Sequence, residues 1–138
     1  MEIETEYHRD VGKDEVKSLT FVTADRCRIQ LERLTKLLVS AFPGSTIYQH
    51  ANLLRVPHDV LHNKVDAVFL EAEMDKADGL DVAKLLRRQK PDVPVFLISK
   101  TGCFDQEVAQ IDGCFVLPDS EQRLLDAIHL ALNKGDVS

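Results

Sequence analysis

Hydrophobic residues follow two alternating patterns along the chain from Ser18 onward. Short apolar runs rich in β-branched and aromatic residues alternate with longer segments in which apolar residues recur every three or four positions. This alternation predicts βα units and a parallel sheet. Two of the runs are almost continuously apolar, as is typical of strands covered by helices on both faces. The runs predict five strands, at Leu19–Thr23, Thr46–His50, Ala67–Leu70, Val95–Ile98 and Cys114–Leu117.

The longer segments predict helices between the strands. In Arg26–Ala41, one apolar stripe repeats by alternating steps of four and three residues, and the segment stops at Pro43-Gly44. Further helices are predicted around Pro57–His62 and over Leu80–Arg88 and Glu121–Lys134. The predicted fold class is therefore α/β, a doubly wound five-stranded parallel sheet flanked by helices. The stripe of the first helix consists of Cys27, Leu31, Leu34, Leu38 and Ala41.

Length and charge limit the number of domains and the kinds of partner that the chain can have. Its 138 residues, 44% of them hydrophobic, suit one compact domain, which we place at residues 18–138, with residues 1–17 as a charged N-terminal arm. No apolar run approaches the roughly 20 residues of a membrane-spanning helix, and the acidic N-terminus is unlike a signal peptide. We therefore expect a cytoplasmic protein without membrane contact. The net charge of -6 disfavours binding of nucleic acid by this domain and favours a protein partner.

The cysteines and histidines give weaker signals. Cys27, Cys103 and Cys114 lack CxxC spacing, so we expect reduced thiols. His58 and His62 are four residues apart, a spacing that can ligate zinc, but no third ligand presents itself and we interpret them as surface histidines. We interpret the basic residues of the third predicted helix as a solvated face; they are Lys84, Arg87, Arg88 and Lys90.

Sites in doubly wound sheets lie at the carboxyl ends of the strands. Acidic residues follow the first and third predicted strands, and hydroxyl and amino groups follow the fourth. Because these strand ends meet at one edge of the sheet, they are the candidate site. The residues concerned are Asp25, Glu71, Glu73, Ser99, Lys100 and Leu117.

The stretch from Val65 to Ser99 resembles the receiver domain of bacterial response regulators. In that family the corresponding segment runs from an apolar strand into a phospho-accepting Asp, then through a Met and an Asp-Gly turn to a Ser or Thr. Met74 and Asp78-Gly79 fall in register with this pattern. Gly113–Pro118 matches the segment that normally ends in Lys-Pro. The resemblance covers roughly residues 18 to 135 and implies a flavodoxin-like receiver fold and a role in two-component phosphorelay signalling.

The resemblance also implies roles for the strand-end residues, and several of them depart from the family pattern. Glu71 stands at the phospho-acceptor position, where its extra methylene displaces the carboxylate, and Ala24 replaces one member of the acidic pair beside Asp25. Leu117 stands where a Lys would clamp the phosphoryl group, whereas Ser99 is retained. The stretch between Ser99 and Leu117 is short for the family and implies a reduced helix around Gln106–Gln110.

These departures predict an atypical, degenerate receiver rather than an enzyme, one that acts by protein–protein contact without normal Asp phosphorylation. The partner would be a second copy in a homodimer, a histidine kinase or an output domain. We expect no cofactor, although a weak Mg²⁺ site at Asp25 and Glu71 stays open. The alternatives are a receiver phosphorylated with Mg²⁺ at Glu71 or Asp25, and a small-ligand sensor that uses the altered pocket.

Two interpretations of Glu71 follow. Its carboxylate could imitate the phosphorylated state by reaching toward Ser99. It could instead be a tolerated acid at the start of a loop, solvated or paired with Lys100. The two interpretations differ in what the carboxylate contacts.

Overall fold

A computed structural model describes residues 18–72, 79–100 and 111–136. The predicted arm, Glu73, Met74, Asp78, Cys103 and the predicted helix Gln106–Gln110 lie outside these ranges. The elements in chain order are β1 (Thr20–Ala24), α1 (Arg28–Ala41), β2 (Thr46–His50), α2 (Val56–His62), β3 (Ala67–Glu71), α3 (Gly79–Gln89), β4 (Val95–Ser99), β5 (Gly113–Val116) and α4 (Glu121–Asp136).

The strands form one five-stranded sheet in the order β2-β1-β3-β4-β5, and all of its pairings are parallel. The predicted doubly wound fold is therefore confirmed, and the strand bounds differ from those predicted by no more than one residue. The winding direction reverses between β1 and β3, which are neighbours in the sheet. Crevices at the carboxyl ends of such strands are the usual position of functional sites.

Helices cover both faces of the sheet, so β3 and β4 are buried along their whole length. On one face, α2 and α3 pack against aliphatic side chains of the strands. On the other face, α1 and α4 enclose an aromatic-rich core in which Phe69 and Phe96 stack with ring centroids 5.4 Å apart. Two buried faces require apolar side chains at consecutive strand positions, which explains the continuous apolar runs in the sequence.

The apolar stripe of α1 buries Leu34 and Leu38 as predicted, and Gln30 is buried with them. Two other details of the sequence prediction are wrong. Cys114 takes part in a disulfide bond, so the prediction of reduced thiols fails at this residue, although Cys27 is free. Arg87 is not solvated, because its guanidinium donates to Asp112 at 2.8 Å and its side chain is only 29% exposed.

Among the described residues, no helix is long and apolar enough to cross a membrane.

Candidate functional site

The fold gathers most of the predicted site at the carboxyl edge of the sheet. Asp25 directly follows β1, Glu71 is the last residue of β3, and Ser99 is the last residue of β4. Their exposed fractions are only 4%, 1% and 0%. Lys100 follows β4 and acts electrostatically on Asp25. Glu73 lies outside the described residues. The site is therefore a buried polar cluster on top of a hydrophobic sheet.

Glu71 is paired with Arg26, a residue of the loop between β1 and α1. One carboxylate oxygen, Oε2, accepts a hydrogen bond from the Arg26 guanidinium Nη2 at 2.9 Å. The other oxygen, Oε1, accepts from the Arg26 backbone N–H at 2.9 Å and from its Nε at 3.3 Å. Both oxygens are thus engaged by one residue, in the two-pronged geometry that makes arginine–carboxylate pairs strong.

Asp25 is the second carboxyl group of the cluster. Its Oδ1 accepts a hydrogen bond from the backbone N–H of Cys27 at 2.8 Å, which closes the turn that leads into α1. Its own backbone N–H donates to the carbonyl of His50 at 3.0 Å, which ties the turn to the end of β2. The β1–α1 loop is therefore fixed at both ends, and this holds Arg26 above Glu71.

The pKa values of the two carboxyl groups shift in opposite directions. Burial, with the nearby charge of Glu71, raises the pKa of Asp25 to about 6, against the opposing effects of the Cys27 amide and Lys100. Burial would also raise the pKa of Glu71, but the hydrogen bonds from the side chain and backbone of Arg26 outweigh it and lower that pKa below its usual range. The interaction between the two carboxyl groups raises the pKa of Asp25 and lowers that of Glu71. As the pH falls, Asp25 is therefore protonated first, near pH 6, while Glu71 keeps its negative charge.

The receiver resemblance implies a Mg²⁺ ion at this position, and the described residues do not fit one. Mg²⁺ takes oxygen ligands at about 2.0–2.1 Å in a near-octahedral shell. Both oxygens of Glu71 accept hydrogen bonds from Arg26, and burial raises the pKa of Asp25 to about 6, which weakens it as a metal ligand at and below that pH. No group of three or more His, Cys, Asp or Glu able to hold a metal occurs within residues 18–72, 79–100 and 111–136. The guanidinium takes the cationic role at this edge.

Leu117 lies on the core side of the site. It is 5% exposed and packs in the aromatic-rich core beneath α1 and α4, next to Pro118 across a cis peptide bond. No charged group reaches the strand-end cluster from this position.

The interpretation of Glu71 as a solvated acid is wrong, because the side chain is 1% exposed. Contact with Ser99 stays a prediction. Sequence reasoning missed Arg26, which it placed at the start of a helix; α1 begins two residues later, at Arg28. The signal lay in its position, since a basic residue directly after Asp25 falls in a loop at the acidic edge of the sheet.

The histidines of α2 lie beside this edge. His50 at the end of β2 contacts Asp59 of α2 at 2.5 Å. His58 and His62 stack with ring centroids 4.2 Å apart, and His58 is 65% exposed. The exposure of His58 favours the interpretation as surface histidines.

No family model matches the sequence. The transcriptional regulatory protein PrrA of Mycobacterium bovis is 32% identical over 77 residues, which are 56% of this chain and 32% of that protein. The chain spans 22% to 32% of the length of the curated relatives it matches.

Solved structures of receiver domains have a similar fold. A response regulator receiver domain protein from Clostridium thermocellum superposes with a TM-score of 0.74 at 18% identity, covering 86% of this chain and 98% of that one. The chain has the fold of a receiver domain. The beryllofluoride-activated NtrC4 receiver domain dimer is also similar, with a TM-score of 0.72 and 18% identity over 83% of this chain and 97% of that one. The resemblance read from Val65 to Ser99 is confirmed.

Proposed function

We propose that this receiver-type domain transmits signals by protein–protein contact and does not accept a phosphoryl group at Glu71. The observation that carries the proposal is the pairing of Glu71 with Arg26. In phosphoryl transfer the protein mainly positions the reactants and neutralises charge. A carboxylate whose two oxygens both accept hydrogen bonds from a guanidinium is held in one position and has its charge largely neutralised, which makes it a weak nucleophile toward an incoming phosphorus atom.

The neighbouring residues support the same conclusion. Asp25 holds a proton up to about pH 6 and so contributes no negative charge to attract a metal at lower pH. Leu117 brings no cation to balance a transferred phosphoryl group. To accept a phosphoryl group, the domain would have to rearrange Asp25 and Glu71 and would need a cation near Leu117. We therefore place the activity of the domain in its surface rather than in its strand-end pocket.

The partners we propose are a second copy of the chain, a histidine kinase or an output domain, in a cytoplasmic signalling complex. PrrA, which the chain matches over 77 residues, is named as a transcriptional regulator, and the similar NtrC4 receiver domain is described as a dimer. These names support a regulatory role through assembly. The small-ligand sensor remains an untested alternative.

Incubation with acetyl phosphate and Mg²⁺ tests the proposal. We expect intact mass spectrometry to find only the unmodified chain, for the wild type and for the surface control Arg28→Ala. A stoichiometric phosphoryl adduct that disappears in Glu71→Ala or Asp25→Ala would contradict the proposal and favour the phosphorylatable alternative. A phosphorylatable receiver run in parallel confirms that the donor is active.

A further inference from the structure

The outward side of α2 carries two histidines that are four residues apart. His58 and His62 are both exposed, and their rings stack with centroids 4.2 Å apart and planes inclined by 28°. Residues four apart lie on the same side of a helix, one turn above the other. Val56 and Val60 on the opposite side are fully buried in the aliphatic core. The histidine pair therefore faces solvent from an anchored helix.

Hydrogen bonds order the turn that carries the pair. The backbone N–H and the side-chain amide of Asn63 both donate to the carbonyl of Asp59 at 3.0 Å, which closes the last turn of α2. The Nδ1 atom of His62 lies 2.9 Å from the carbonyl oxygen of His58. Because a carbonyl oxygen only accepts, Nδ1 carries the ring hydrogen, and the lone pair of the neutral ring is on Nε2. Histidines that ligate metals usually donate their other ring nitrogen in this way.

The pair supplies half of a metal site. Zn²⁺ takes four ligands in a tetrahedron and binds imidazole nitrogen at about 2.0–2.1 Å, so two chelating Nε2 atoms lie roughly 3.3 Å apart. Exposed rings with centroids 4.2 Å apart reach this separation by small rotations of their side chains. Across the part of the chain that the structure describes, no third His, Cys, Asp or Glu joins the pair in a group able to hold a metal. Two coordination positions stay open in one chain.

Apolar side chains border the histidines. Leu61 follows His58 by three residues and is 44% exposed, and Leu54 precedes it by four. At 78%, Leu54 is the most exposed of the large hydrophobic side chains that the structure describes. We call these four residues the histidine face of α2: Leu54, His58, Leu61 and His62. Burial of its leucines against a partner would be favourable.

A second copy of the chain fits this face. In a two-fold symmetric pair the same patch meets itself, so the histidines of both copies surround one ion with four nitrogens. Each copy carries a net charge of -6, so two copies repel each other, and a divalent cation offsets part of this repulsion. We propose that two chains share one divalent transition-metal ion through His58 and His62 of each copy, with the leucines buried between them. This inference rests on the part of the proposed function in which a second copy is a partner.

Light scattering after size-exclusion chromatography of the full-length chain tests the inference, with Zn²⁺ as the probe. We expect the mass of one chain in EDTA and of two chains with half an equivalent of Zn²⁺ per chain, and calorimetry should give one ion for two chains. His62→Ala removes one ligand from each copy and should weaken Zn²⁺ binding at least about tenfold and abolish the dimer. The control His129→Ala removes an exposed histidine of α4 and should behave as the wild type.

A second variant tests the apolar border. Leu54→Lys keeps both histidines but places like charges in the contact, so we expect Zn²⁺ binding with a dimer weakened at least about tenfold. The inference is overturned if the wild type binds no Zn²⁺, keeps the mass of one chain when Zn²⁺ is bound, or stays a dimer in EDTA. Unchanged Zn²⁺ binding in His62→Ala, or an unchanged dimer in Leu54→Lys, overturns it as well. None of these results bears on phosphoryl transfer to Glu71, which the acetyl phosphate experiment tests separately.

Discussion

Arginine–carboxylate pairs lie at both ends of the sheet, and they differ in burial and in the number of carboxyl groups present. At the amino end, Arg87 donates to Asp112 at 2.8 Å, and the same carboxylate oxygen accepts the backbone N–H of Val95 at 2.7 Å. At the carboxyl end, Arg26 donates to Glu71, which also accepts a backbone N–H. Each pair joins a loop or helix to a strand end through one arginine and one backbone amide.

The difference lies in burial and in the number of acids. Arg87 and Asp112 are 29% and 31% exposed, so water still reaches both partners. Glu71 is 1% exposed and has a second buried carboxyl group, Asp25, beside it. One guanidinium can neutralise only one of these two acids. The carboxyl end therefore takes up a proton on Asp25 as the pH falls through about 6, whereas the amino end balances one acid with one base.

The largest expected difference between the two pairs is the loss of unfolding free energy when the arginine is removed. Arg26→Ala leaves Glu71 buried without its counter-charge beside Asp25, so we expect a loss of about 2–4 kcal/mol in the free energy of unfolding at pH 7.5. Arg87→Ala leaves Asp112 with water and with the amide of Val95, and we expect a loss of about 1 kcal/mol. Urea denaturation measures both values.

Arg26→Lys refines this comparison. Lysine keeps the charge but lacks the planar fork, so its stability should lie between those of the wild type and Arg26→Ala. Equal losses in Arg26→Ala and Arg87→Ala would show that burial of Glu71 does not distinguish the pairs.

The second prediction concerns pH. Because the folded-state pKa of Asp25 lies above its ordinary value, its protonated form stabilises the fold at low pH, and this contribution is lost as the pH rises through about 6. Glu71 has a lowered pKa, so its contribution is present above its ordinary value near 4.5 and is lost as the pH falls through the folded-state value. The two contributions together are therefore largest near the ordinary pKa values of the two groups, 3.8 for Asp25 and 4.5 for Glu71, and they decline on either side.

Asp25→Asn should remove the high-pH part of this dependence. The amide still accepts from Cys27 and can donate to Glu71 without adding a charge, so we expect the variant to exceed the wild type by about 2 kcal/mol at pH 7.5. The difference should shrink as the pH falls through about 6 and should vanish only below the ordinary Asp pKa value of 3.8. Unfolding free energies across this pH range provide the measurement. For the exposed control Asp92→Asn, the unfolding free energy should depend on pH as it does in the wild type. The same pH dependence in Asp25→Asn would show that protonation of Asp25 does not contribute to stability.

The smallest effect is expected at a solvated pair of opposite charges. Arg28 and Glu32 on α1 are 3.5 Å apart and are 82% and 59% exposed. Arg28→Ala should change the free energy of unfolding by less than about 0.5 kcal/mol at 0.15 M salt. A loss as large as that of Arg26→Ala would mean that charge on this side of the domain, rather than contact with Glu71, supports the fold.

The fold was predictable because it depends on patterns that extend over many residues. Two buried faces require continuous apolar strands, and the runs containing Phe69 and Phe96 display this directly. The position of the site was predictable for the same reason, since Asp25, Glu71 and Ser99 all end or follow strands. The partner of Glu71 was harder to predict, because only the position of Arg26 directly after Asp25 pointed to it. Pairing with Arg26 depends on the path of a short loop and on a side-chain rotamer, which leave no periodic signal in the sequence.

Leu117 has a consequence for how this domain can change over evolutionary time. Its side chain belongs to the core shared by α1 and α4, so a lysine restored at this position would have to enter a space shaped for an aliphatic group. A clamp for a phosphoryl group would also be useless while Arg26 occupies Glu71. Single substitutions that introduce these groups are therefore expected to cost stability before they yield any chemistry. Under the function we propose, descendants of this chain are expected to diversify at their surfaces rather than in the strand-end pocket.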